Sequence, residues 1–78
     1  MDRMHAPMMQ GIANADPDTA FVLAMIPHHQ GAVDMAEIVL KFGKDPHNQH
    51  FAREIIAAQR REIGEMRDWL RQRSIPQP

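Results

Sequence analysis

Two Asp-Pro pairs, Asp16-Pro17 and Asp45-Pro46, constrain this chain more than any other feature. In each, the aspartate carboxylate can accept from the orphan amides of a helix start. The proline then sits at the first helical position, where its missing N–H costs nothing. Gly43 marks the end of the first helix, so only Gly43-Lys44-Asp45 joins it to the second. A connection this short forces the helices antiparallel. The spacing predicts one all-α domain over residues 1–78. It has a methionine-rich arm or short helix over 1–15, a long helix over 16–43 and a second long helix over 45–74.

Apolar periodicity supports the hairpin. Phe21, Met25, Ala32, Met35, Val39 and Phe42 recur by fours, threes and sevens, which puts them in one stripe together with His28. On the second helix Phe51, Ile55, Ile56, Ile63, Met66, Trp69 and Leu70 are expected on the inner side, interrupted by Gln59 and Glu62. Pro27 lies deep inside the first helix and cannot donate to the carbonyl of Leu23, so a kink is expected there. Met1, Met4, Met8 and Ile12 share a helical spacing that Pro7 interrupts. Each helix of a hairpin touches one neighbour, so two helices cannot enclose this much apolar surface. A homodimer completing a four-helix bundle is the expected solution, with cover from the N-terminal arm as the alternative.

Size and composition point the same way. A chain of 78 residues hides only about 60% of its unfolded surface, and with no cysteine it has no disulfide to reinforce it. A metal or self-association is left to do so. The net charge of −1 excludes the broad positive field of a nucleic-acid binder. Arg53, Arg60, Arg61, Arg67, Arg71 and Arg73 alternate with Glu54, Glu62, Glu65 and Asp68, the pattern of a solvated, ion-paired face. No apolar run approaches the ~20 residues of a membrane span, and no export signal precedes the domain, so composition leaves the compartment open.

The chemistry lies in seven methionines and five histidines. Methionine most often only fills a core. Met25-Ile26-Pro27-His28-His29 is different, because adjacent helical histidines point about 100° apart. His28 is expected at the seam with His29 flanking it. Met25 precedes them by three and four residues, which puts its thioether within reach of either ring. Met35, roughly 10 Å further along the axis, belongs to the core or to a second site.

Folding the hairpin pairs positions whose numbers add up to roughly 87, given ~1.5 Å rise per residue. His28 then faces Gln59, and Met25 faces Glu62. Two readings follow. Gln59 and Glu62 either satisfy His28 and His29 in a polar network, or orient imidazoles that ligate a metal. Thioethers are soft ligands suited to copper(I) or silver(I), and Met66, one turn from Glu62, extends the set. Zinc on His28, His29 and Glu62 fits less well. Met4, His5, Met8 and Met9 form either a second soft site or apolar cover. His47 and His50 share a face with no carboxylate expected beside them, and are expected in solvent. No Glu-x-x-His pair, nucleophile motif or phosphate-binding glycine loop occurs, so an enzyme is not expected.

Met25-Ile26-Pro27-His28-His29-Gln30-Gly31-Ala32, with Asp34-Met35-Ala36, resembles the signature of the bacterial family known as domain of unknown function 305. Ile55 through Gln59, Glu62, Ile63, Met66, Trp69 and Leu70 carry the resemblance through the second helix. It implies a ferritin-like, four-helix architecture built from hairpins, and a periplasmic or secreted protein connected with copper or silver. It also implies ligands at Met25, His28, His29 and Met35. The resulting expectation is a homodimeric metal carrier with ligands among Met25, His28, His29, Met35, Glu62 and Met66, and with Gln59 and Asp34 behind them. The runner-up is a metal-free helical dimer whose His-Gln-Glu cluster is a pH-responsive polar latch.

Overall fold

The computed structural model describes residues 16–77. The N-terminal arm, with Met4, His5, Met8 and Met9, lies outside them. The described residues form an antiparallel all-α hairpin of helix α1 (Pro17–Phe42) and helix α2 (Pro46–Gln72), with no strand among them.

Both helices begin as the Asp-Pro pairs predict. The Asp16 carboxylate accepts from the amide and the hydroxyl of Thr19. Asp45 accepts from the amides of His47 at 2.8 Å and Asn48 at 3.2 Å. These bonds satisfy donors that a helix start leaves without partners. At the end of α1, the amide of Gly43 donates to the Val39 carbonyl at 2.7 Å. A β-carbon here would sit 2.6 Å from that oxygen, so glycine is required by close approach. Helix α2 closes differently. Ser74 adopts φ 54°, and the amides of Ser74 and Ile75 reach back to the carbonyls of Arg71 and Leu70. This is a Schellman closure, and it folds Ile75 onto the core.

α1 remains helical through Pro27, which is buried. The face it turns to α2 differs from the expected one. Val22, Ile26, Val33 and Ala36 are buried, with half-buried His29 in the same stripe at alternating spacings of four and three. The large apolar residues one position earlier stay outside: Phe21 is 61% exposed, Met35 56% and Phe42 69%. On α2, Ala52, Ile63 and Leu70 are buried, while Phe51, expected inside, is 55% exposed. The reason is steric. Small and β-branched side chains let the helices approach, and toward the loop the buried residues are Val33, Ala36 and Ala52.

The main core therefore sits at the open end of the hairpin. Val22, Ile26, Ile63 and Leu70 form it, with Leu23, Met66, Trp69 and Ile75 packed around them. Arg73 lies over the Trp69 ring at 4.0 Å and donates to the Trp69 carbonyl at 3.1 Å. No helix among the described residues is long and apolar enough to cross a membrane.

Candidate functional site

The inward stripe of α1 decides which histidine meets α2. His29 is in step with Ile26 and Val33, and its Nε2 donates to Glu62 Oε2 at 2.6 Å. The His29 side chain is 11% exposed and that of Glu62 46%. An ionised carboxylate only accepts, so this bond uses a proton on Nε2; in the neutral ring Nδ1 is then an acceptor. His29 Nδ1 is buried and has no hydrogen-bond partner, and neither has Gln59 Oε1. Two buried polar atoms without a partner thus lie one turn or less from the interhelical pair. A buried polar atom without any partner costs roughly 1–3 kcal/mol, so each of these two atoms is a place where a water or another polar group would be favourable.

His28 has the opposite fate. It is exposed, with its ring centroid 6.1 Å from that of His29 and the rings tilted by 59°. The pairing of His28 with Gln59 and of Met25 with Glu62, expected from the register estimate, gives way to His29 with Glu62. His28 instead lines an apolar groove with Ala32, Met35, Val39, Phe51 and Ile55.

The remaining candidates separate. Met25 is half-buried one turn before His29, and Met66 is half-buried against the core. Met35 keeps company with His28 in the groove. Asp34 was expected behind the ligands, but it lines a polar groove with Gln30, Glu37, Arg60 and Arg67. Among the described residues no three of His, Asp and Glu converge as a metal site, so the zinc arrangement on His28, His29 and Glu62 is not assembled. His47 and His50 are exposed as expected, yet His50 does have a carboxylate, Glu54 Oε1 at 2.9 Å. The four-residue spacing of that pair was visible in the sequence.

Residues 18–78 match the family model described as Domain of unknown function (DUF305). The chain belongs to this family. The DUF305 match runs through both helices and includes His28, His29, Gln59 and Glu62. An uncharacterized protein of Acanthamoeba polyphaga mimivirus is similar, at 36% identity over 58 residues. That alignment covers 74% of this DUF305 chain and 38% of the viral protein, so the chain spans well under half the length of that relative.

Proposed function

We propose that this protein is a soft-metal carrier that sequesters or hands on copper(I), or silver(I), through methionine and histidine side chains, and that it is not an enzyme. The observation behind this reading is the His29–Glu62 pair. A metal-ligating imidazole commonly donates its other N–H to a carboxylate, and His29 has that second bond in place with Nδ1 buried and unpartnered. Met25, four residues before His29, supplies a thioether on the same stretch of α1, and Met66 follows Glu62 by one turn on α2. This donor set is soft and nearly uncharged, which suits copper(I) better than zinc, calcium or magnesium. His28 and Met35 form a further soft pair on the groove side. Gln59 Oε1, buried and without a partner one turn before Glu62, is a further polar atom that a bound ion's ligands or waters would meet.

In this reading the protein works as a homodimer in the periplasm or outside the cell. Thioethers escape the disulfide chemistry that cysteines undergo there. The absence of cysteine is in keeping with that setting.

The test is an anaerobic titration of metal-free protein with copper(I) against a chromophoric chelator. Stoichiometric competition by the wild type is expected. Replacing His29 and Met25 with alanine should abolish it while the circular dichroism of the helices persists, and His47→Ala should leave it unchanged. A wild type that cannot compete would end the metal reading, and His29–Glu62 would then stand as an interhelical polar contact alone.

A further inference from the structure

α1 carries two apolar stripes rather than one. Val22, Ile26, Val33 and Ala36 face α2, while Phe21, Met25, Ala32, Met35, Val39 and Phe42 repeat the same spacing one residue earlier. The stripes are therefore about 100° apart around the helix. A helix with two seams at roughly a right angle is the element of a four-helix bundle, in which every helix packs against two neighbours. The second stripe meets Phe51 and Ile55 of α2 across a groove of about 430 Å³.

We propose that this groove is the surface on which a second copy of the chain docks, so that two hairpins close into a four-helix bundle. The two sides of the hairpin are unlike. The side opposite carries Gln30, Asp34, Glu37, Arg60 and Arg67, with Arg60 paired to Glu37 at 3.3 Å, and is at home in water. The docking side has no Lys, Arg, Asp or Glu among its lining residues. An uncharged apolar surface offers nothing to a charged partner and does not repel its own copy.

The area also suits a second copy. Met35 and Phe51 in the groove, and Phe21, Ile38 and Phe42 flanking it, are each more than half exposed. Charge enters only at the ends, where Lys41 lies over the Phe42 ring at 5.4 Å and Asp16, Asp18 and Arg73 lie around Phe21. At roughly 100 Å² apiece the exposed apolar side chains supply on the order of 500 Å². A stable interface buries about 800 Å² per partner, so these side chains supply more than half of one. Docking carries His28 and Met35 of both copies into one seam. There the second copy supplies soft ligands that a single hairpin lacks; only this last point rests on the proposed metal binding.

Sedimentation equilibrium of the metal-free 78-residue protein tests the surface independently of metal. A mass twice the 8.9 kDa of one chain is expected. Met35→Glu and Phe51→Glu should weaken self-association at least ~30-fold, as loss of an interface hot spot does, with helicity retained. Glu37→Gln, on the opposite side, should change nothing. Should the glutamate variants unfold, amide spectra of the wild type on dilution decide the matter. Shifts confined to Ala32, Met35, Val39, Phe51 and Ile55 support the proposal, and shifts centred on Gln30, Glu37 and Gly64 overturn it. A monomeric wild type also overturns it. If, in that monomer, removing residues 1–15 then shifts the groove amides, the surface belongs to that segment. Metal binding without a dimer, or a dimer without metal binding, shows which of the two readings has failed.

Discussion

His29 and Glu62 are 33 residues apart in the chain, and their side chains meet at 2.6 Å across the hairpin. The bond ties α1 to α2 at the inner edge of the open-end core, one turn from Ile26 and next to Ile63, and leaves His29 Nδ1 buried without a partner. Replacing Glu62 with alanine leaves a nearly buried N–H without its acceptor, at a cost of roughly 1–3 kcal/mol. The lower part of that range is expected, because Glu62 is half-exposed and water can enter. Glu62→Gln keeps an acceptor and should cost less than about 1 kcal/mol in urea denaturation, yet bind copper(I) ~10–100-fold more weakly, because the charged partner that orients the His29 ring is gone. Equal copper affinity in Glu62→Gln and wild type would remove the carboxylate from the proposed site.

Leu70 has no exposed surface and lies at the centre of the open-end core. Leu70→Ala removes buried methyl groups and leaves a cavity, for an expected loss of about 2–5 kcal/mol. In a domain this small that is a large part of the total stability, so the variant should be substantially unfolded at 37 °C. Arg53→Ala, on the exposed side of α2, should change stability by less than about 0.5 kcal/mol. Comparable urea midpoints for the two variants would mean that the open-end cluster is not the core.

Asp16 provides a pH signature. Its side-chain bond to Thr19, followed by its bond to the Thr19 amide, lowers its pKa below the ordinary value of 3.8. A carboxylate with a depressed folded-state pKa contributes stability above its unfolded value and loses it as pH falls through the folded one. Asp16→Asn retains capping but does not titrate. The thermal midpoint of the wild type should therefore fall relative to that of Asp16→Asn as pH drops from about 5 towards 2. Midpoints that stay parallel over this range would show that the Asp16–Thr19 bonds do not form.

Ser74 holds the left-handed conformation that terminates α2, with φ 54°. A residue with a β-carbon is strained there and glycine is not. Ser74→Gly should stabilise the fold by about 0.5–1 kcal/mol, net of the greater freedom glycine gives the unfolded chain. For a domain of this size that raises the thermal midpoint by roughly 2–8 °C. A lower midpoint would indicate that the Ser74 side chain contributes more than its strain costs.

Local chemistry was legible in the sequence. The two capped starts, the stop at Gly43 and the antiparallel hairpin follow from interactions spanning only a few residues, and the structure has them where the Asp-Pro pairs put them. Met25, His28, His29, Gln59 and Glu62 could be named as the chemical segment for the same reason: the residue types and the helical period were both visible. What the period could not reveal was the rotation of α1 about its own axis. Its two apolar stripes differ by one residue, and both satisfy the same spacing. Helix-to-helix packing chose the stripe with the smaller side chains, because Val33, Ala36 and Ala52 allow close approach at the loop end where Met35 and Phe51 do not. That choice turned His29 rather than His28 toward Glu62 and left His28, Met35 and Phe51 in an open groove. It also put Asp34 on the polar side. A rotation of about 100° is one residue in sequence but a different neighbour in space, so only tertiary packing could decide it.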